Sequence, residues 1–133
     1  MTATRTQVED VIAVAEFRAA LRRFLRRSER IARQSGLTPQ RYLLLLMIKG
    51  APGGTEKSTV TELAERLQLA QSTVTELVSR AEDAGLVDRE PSQTDARVAH
   101  IRVTPEGERR LMRSFTQLET ERTQLRDAVA NLV

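Results

Sequence analysis

The chain has 133 residues, of which 40% are hydrophobic and 29% charged, with no cysteine, one histidine and a formal net charge of +3. This size fits one globular domain, and the lack of cysteine excludes disulfides, thiolate metal sites and a thiol redox switch. No apolar run approaches the roughly 20 residues that span a bilayer, and the N-terminus lacks the apolar core of an export signal. We therefore expect a cytoplasmic protein without a membrane partner.

An apolar stripe predicts a long first helix over residues 7–34. Its members recur at intervals of three and four residues, namely Val14, Phe17, Leu21, Phe24, Ser28 and Ile31. Gly36 suits the left-handed turn beyond the end of this helix. Thr38 and Pro39 then predict the N-cap and first residue of a second helix, which is apolar on most sides and is expected to be buried.

The middle of the chain predicts a loop and then two short helices. Residues 50–57, GAPGGTEK, form the clearest loop because they hold three glycines and a proline. Thr59 and Glu62 fit a capping box at the start of the next helix. Residues 68–70 separate that helix from a second one, and the inner faces of the two are marked by Leu63, Ala64, Leu67, Val74, Leu77, Val78 and Ala81. This spacing is typical of a helix-turn-helix, whose second helix enters the DNA major groove.

The last third predicts a hairpin and a final long helix. Gly85 ends the preceding helix, residues 98–103 alternate as a strand does, and Thr104 with Pro105 starts a helix over residues 105–133. Its apolar seam repeats at intervals of four and three, with Arg122 as the one interruption, at Leu111, Phe115, Leu118, Arg122, Leu125, Val129 and Leu132. Because so regular a seam needs a partner surface, we expect a homodimer formed through both terminal regions.

Several segments, each weak alone, together resemble the MarR family of winged-helix transcription regulators over nearly the whole chain. They are TELAERL, STVTELVSR, AGLVDRE, DAR at 95–97 and VTPEG at 103–107. The resemblance implies a mainly α fold with a small β-hairpin wing, in a single domain over 1–133. Dimerisation helices at 7–34 and 105–133 would flank a winged helix-turn-helix lobe at 38–104. It also implies a homodimer that reads palindromic double-stranded DNA, represses more often than it activates, and is frequently released by a small aromatic ligand.

The motifs carry over a set of DNA-contacting residues. The exposed first half of the recognition helix would supply Gln71, Ser72, Thr73 and Thr75, although Ser72 and Thr73 can instead only cap the helix. For Arg80 a phosphate contact and an intramolecular salt bridge both stay open. Arg97 matches the wing arginine that enters the minor groove, and Asp95 would orient its guanidinium group.

Four positions depart from the family pattern. Ala70 leaves the recognition helix without a capping side chain, a loss of roughly 1 kcal/mol. Gln68 replaces a common turn glycine, and Ala96 removes a frequent basic residue of the wing. Glu76 can repel phosphate or accept a hydrogen bond from cytosine N4. We therefore expect DNA affinity to be modest and strongly salt-sensitive.

Other functions find less support in the sequence. With His100 as the one histidine, and with no P-loop lysine in the glycine-rich loop, we predict no enzymatic activity, no metal site and no cofactor. A small-molecule effector is compatible with the chain, since Phe17, Phe24, Tyr42, Leu46 and Met47 can line a pocket, although the same residues can simply form core. Residues 37–85 hold five basic and six acidic residues. A winged-helix module that binds protein and no operator is therefore the alternative.

Overall fold

The computed structural model describes residues 5–132, so residues 1–4 and Val133, the ends of the predicted domain, lie outside the described part. The elements, in chain order, are α1 Gln7–Gln34, α2 Pro39–Lys49, β1 Lys57–Ser58, α3 Val60–Leu67, α4 Gln71–Asp83, β2 Val87–Pro91, β3 Ala99–Val103, α5 Pro105–Thr116 and α6 Glu119–Ala130. The predicted fold class, mainly α with a small β wing, is confirmed. Across residues 5–132, no helix combines the length and apolar character needed to cross a membrane.

The helix starts follow from local side-chain caps. Thr38, Thr59 and Thr104 each accept a hydrogen bond from a backbone N–H of the first turn, which confirms the three predicted N-caps. Thr59 and Glu62 complete the predicted capping box, in which each side chain bonds the other residue's backbone N–H. Such caps satisfy N–H groups that have no partner within the helix.

The sheet has three antiparallel strands in the order β1-β3-β2. Strands β2 and β3 form the predicted hairpin, with Val87 opposite Val103 and Pro91 opposite Ala99. The first strand was not predicted, because its two residues lie at the edge of the predicted loop and are too few to show a period of two. Lys57 pairs with Arg102, and this pairing joins the hairpin to the start of α3.

The winged-helix lobe, residues 38–104, is built around α2. The helix is buried as predicted except at Leu43, which is 40% exposed. Its fully buried side chains, Leu44, Leu45 and Ile48, belong to a core cluster that includes Leu63 of α3, Val74 and Val78 of α4, and Ile101 of β3. One glycine brings the lobe close to the helix that follows it. A Cβ atom added to Gly107 of α5 would lie 2.8 Å from the Val103 side chain and closer still to the Leu86 carbonyl oxygen.

The prediction of one continuous last helix is wrong at residues 117–118, where α5 ends and α6 begins. The Phe115 carbonyl oxygen accepts hydrogen bonds from the Leu118 N–H and from the Arg122 guanidinium. That guanidinium also lies 3.8 Å from the centroid of the Phe115 ring, in a cation–π contact. Arg122, the residue that interrupts the predicted apolar seam, thus stabilises the bend between the two helices.

Beyond the lobe, residues 7–27 of α1 pack along α6, and we call this pair the helical arm. The arm buries mainly small residues of α1, such as Ala13 and Ala20. Within Glu119–Ala130, which the structure describes in full, no side chain is buried. Val8, Val11, Ile12 and Val14 are between 48% and 67% exposed, so the predicted apolar stripe begins, at Val14, with an exposed side chain.

Candidate nucleic-acid interface

The turn between α3 and α4 sets the direction of α4, the predicted recognition helix. Gln68 ends α3 in the left-handed conformation, with φ 57° and ψ 46°, which a glycine would adopt more easily. Its side chain compensates in part by donating a hydrogen bond to the Glu65 carbonyl oxygen, at 2.6 Å. The Leu69 N–H bonds the Ala64 carbonyl oxygen, and α4 starts two residues later.

The first half of α4 presents short polar side chains on its surface. Gln71, Ser72, Thr73 and Thr75 are all exposed, while Val74 between them is buried in the core. The Gln71 side chain donates to the Thr61 hydroxyl at 3.3 Å and so links α4 to α3. Within the described residues, no side chain caps the start of α4, as predicted for Ala70. Its first N–H groups are therefore available to an anion such as phosphate.

The charged side chains of α4 are an ion pair, Glu76 with Arg80, followed by two acidic residues, Glu82 and Asp83. The helix carries three acidic residues and one arginine, a net charge of −2. Arg80 donates to the Glu76 carboxylate at 2.6 Å, so the salt bridge left open for Arg80 is present. Both side chains are about two-thirds exposed, at 66% and 63%, and pairs of this kind contribute less than about 1 kcal/mol to stability.

The tip of the wing is ordered by its own polar groups. Ser92 accepts hydrogen bonds from the N–H groups of Thr94 and Asp95, at 3.2 and 3.3 Å. Backbone bonds from Ser92 N–H to the Val98 carbonyl oxygen and from Val98 N–H to the Asp95 carbonyl oxygen close the loop. The loop therefore fixes the direction in which its central residues point.

Asp95 and Arg97 form the pair expected at the tip. Asp95 accepts from the Arg97 backbone N–H at 3.0 Å and from its guanidinium at 3.2 and 3.5 Å. These bonds, the backbone one first, hold the pKa of the Asp95 carboxyl below its usual value, so the group stays ionised at neutral pH. The Arg97 side chain is nevertheless 91% exposed. Asp95 therefore orients the guanidinium of Arg97, while the N–H groups that Asp95 does not bind face solvent.

Thr61 and Arg89, which the sequence did not single out, lie on the same surface as Arg97. A cleft of about 270 Å³ lies between the start of α3 and the wing, and its lining includes Thr59, Thr61, Arg89 and Arg97. Arg89 also donates to Glu82 at 3.1 Å, which connects the wing to the end of α4. Arg89 lies two residues after the buried Val87, on the same face of β2, and its approach to α3 depends on how the hairpin packs.

The five residues proposed for an effector pocket have separate environments. Leu46 and Met47 pack against the lobe core, whereas Phe17 and Phe24 are half-buried on the helical arm. Tyr42 borders a cavity of about 50 Å³, well below the roughly 300 Å³ at which ligand pockets begin. Burial raises the pKa of its hydroxyl, against the effect of the neighbouring Ser28, so Tyr42 stays protonated at neutral pH. Among residues 5–132, no three His, Cys, Asp or Glu side chains are grouped so as to hold a metal ion.

Comparison with known proteins finds a family match that runs from before α2 to the residue before β3. The MarR family pattern matches residues 35–98. A proposed transcriptional regulatory protein for the hcr operon of Thauera aromatica is 33% identical over 95 residues, which cover 71% of this chain and 53% of that protein. The chain spans about half the length of the curated relatives it matches.

Solved structures are similar over a longer stretch. A MarR family protein from Bacillus stearothermophilus superposes with a TM-score of 0.77, at 24% identity, over 92% of this chain and 82% of that one. A mutant MarR from E. coli complexed with operator DNA gives a TM-score of 0.66, at 17% identity, over 97% and 89%. At these identities the likeness shows the fold.

Proposed function

Because this chain belongs to the MarR family, we propose that it is a cytoplasmic transcriptional regulator without enzymatic activity, which binds double-stranded DNA through α4 and the wing. One observation carries the proposal. The polar, uncapped start of α4 lies on the same lobe as a wing whose Arg97 is oriented by Asp95 and 91% exposed. A helix for the major groove and an arginine for the minor groove are the two contacts that a winged helix makes. The E. coli relative with operator DNA supports the same partner.

We propose further that the helical arm joins two copies into a homodimer, which binds a palindromic operator. Exposed valines and isoleucine on α1 and the unburied α6 form an apolar surface that a second copy can cover. In such a dimer the two α4 helices must enter successive major grooves, about 34 Å apart. The helical arm then sets the distance between the two α4 helices, and the lobe of each copy supplies the DNA contacts.

Repression and release by a ligand are the regulation we propose. A dimer bound over a promoter excludes the polymerase from that DNA. An effector would act by changing the separation of the two α4 helices, because the palindrome fixes that distance. A complete effector pocket would have to include residues of the second copy, since Tyr42, Leu46 and Met47 are occupied with core contacts inside one chain.

The test is a titration of the purified protein against the DNA flanking its own coding region, and against a random DNA library, at several salt concentrations. We expect saturable binding whose logarithm falls with the logarithm of salt by about 0.9 for each phosphate contacted. Arg97→Ala should weaken binding about tenfold or more. Arg113→Ala, which removes the same charge from the exposed surface of α5, should not.

The alternative, a module that binds protein and no operator, is favoured by the net charge of −2 on α4. It predicts no enrichment from the random library even at low salt. It also predicts equal behaviour of Arg97→Ala and Arg113→Ala toward DNA. Saturable binding that Arg97→Ala alone weakens would reject it.

A further inference from the structure

The outermost face of α4 is defined by its buried stripe. Val74, Val78 and Ala81 point into the core at intervals of four and three residues. Two residues advance a helix by about 200°, so the positions two before or after this stripe point directly away from the core. Those positions are Ser72, Glu76, Ser79, Arg80 and Asp83, and all five are exposed. If α4 enters a major groove, these side chains face its floor.

In the first half of α4, the outward-facing residues are Ser72 and Glu76, and Glu76 has the longer side chain with a hydrogen-bond acceptor. One of its carboxylate oxygens, Oε1, accepts from the Arg80 Nη2 atom at 2.6 Å, and 63% of the side chain is exposed. The second oxygen, Oε2, is available for another donor. An ionised carboxylate only accepts hydrogen bonds, so it can pair with a base that offers an N–H₂ group to the groove.

Cytosine and adenine are the two bases that offer such a group in the major groove. Adenine places an acceptor, N7, beside its N6 amino group, an arrangement matched by the amide of Asn or Gln. Cytosine offers its N4 amino group without an adjacent acceptor, and a carboxylate matches it. We propose that Glu76 is a specificity-determining residue that accepts a hydrogen bond from N4 of one cytosine in each half-site. The proposal rests on the proposed function, because it requires α4 to enter the major groove.

The salt bridge to Arg80 explains how a carboxylate is tolerated there. Phosphates on both sides of the groove repel Glu76, and the guanidinium of Arg80 offsets that repulsion and holds the carboxylate in place. On a sequence without the cytosine, the carboxylate loses its hydration and gains no donor, which costs free energy. Glu76 therefore lowers affinity for wrong sequences as well as raising affinity for the right one.

The experiment begins with an operator selected from a random library by the wild-type chain. Each half-site position is then changed to all four base pairs, and the affinities of wild type, Glu76→Ala and Glu76→Gln are compared. We expect one position where wild type prefers C·G by about fivefold to a hundredfold, and where Glu76→Ala has no preference. Glu76→Gln should prefer adenine at the same position, because its amide both donates and accepts. Both variants should bind unrelated DNA more tightly, since they remove a negative charge.

The control is Glu65→Gln, which removes the same charge from the exposed surface of α3 and should keep the wild-type base preferences. Unchanged preferences in Glu76→Ala and Glu76→Gln, on an operator that wild type selects, would overturn this proposal and leave the proposed function intact. Failure of wild type to select any sequence would overturn both. The Glu76→Gln variant keeps an acceptor for Arg80, so its change of preference separates base reading from a purely structural salt bridge.

Discussion

In the winged-helix lobe, most large apolar side chains are covered by the chain itself, and Leu45, Leu63, Val78 and Ile101 are all fully buried. In the helical arm, the opposite holds: α6 buries no residue over its described length, and Val11 of α1 is 63% exposed. Both regions are helical and both carry regular apolar spacing. The difference lies in how much of that apolar surface one chain can cover.

This difference assigns separate tasks to the two regions. Because the lobe core is complete, the start of α4 and the tip of the wing are held in position without a partner. Because the arm is incomplete, its apolar surface favours association with another surface. Under the proposed function, the lobe would determine which bases are read, and the arm would determine how far apart the two reading helices stand.

The largest effect is expected in the lobe core. Leu45→Ala should lower the free energy of unfolding by about 2–5 kcal/mol, because it removes a fully buried side chain and leaves a cavity. Leu43→Ala, on the same helix but at a side chain that is 40% exposed, should cost less than about 1 kcal/mol. Urea denaturation of both variants at one protein concentration measures the difference. Equal losses would mean that the lobe core is not complete.

The next effect is expected in the arm. Val11→Glu should weaken self-association by about 2–3 kcal/mol, or roughly a hundredfold, because it places a carboxylate in an apolar interface. Sedimentation across a range of concentrations measures this change. Gln40→Glu adds the same charge to the exposed surface of the lobe and serves as the control, which should associate as wild type does. An unchanged dimer in Val11→Glu would mean that this face of α1 stays in solvent.

A smaller effect is expected at the start of α4. Ala70→Ser should raise the free energy of unfolding by about 1 kcal/mol, because it adds a capping acceptor for an N–H group of the first turn. Thermal unfolding should shift upward by roughly 3–5 °C. Ala70→Gly gives the comparison without a side-chain acceptor, and its gain should fall a few tenths of a kcal/mol short of the gain of Ala70→Ser. A larger gain for glycine than for serine would show that backbone strain, and not the absent cap, limits this turn.

The smallest effect concerns pH and the capping box of α3. The pKa of Glu62 is lowered from its usual 4.5, first by the Thr59 backbone N–H and then by the Thr59 hydroxyl. A lowered folded-state pKa contributes stability above pH 4.5, and that contribution is lost as pH falls through the folded-state value. Glu62 is exposed, so the contribution should stay below about 1 kcal/mol. Glu62→Ala should therefore differ from wild type in its free energy of unfolding at pH 7 and converge with it at acid pH, which urea denaturation at both pH values measures.

Sequence predicted the fold where the determining contacts are local. The caps at Thr38, Thr59 and Thr104 depend on residues within three positions, and all three are present. The bend between α5 and α6 was missed because the four-three spacing continues across it. Its cause is the contact of Arg122 with the Phe115 carbonyl and ring, which no spacing rule contains.

The candidate site divides in the same way. The pair of Asp95 and Arg97 was predictable because the two residues are separated by one position and bonded through the backbone. The contact of Gln71 with Thr61, and the approach of Arg89 to α3, depend on the packing of helices and hairpin. The effector pocket stays a prediction, because spacing along a helix gives a shared face but not the partner that would complete the pocket.

The most direct test of the division between lobe and arm compares a full palindromic operator with an isolated half-site, for wild type and Val11→Glu. Wild type should bind the palindrome as two chains and at least about a hundredfold more tightly than the half-site. Val11→Glu should bind both DNAs with similar affinity, because its lobe is intact while its arm no longer joins two copies. If Val11→Glu keeps the wild-type preference for the palindrome, the arm does not link the two reading helices and the account is contradicted.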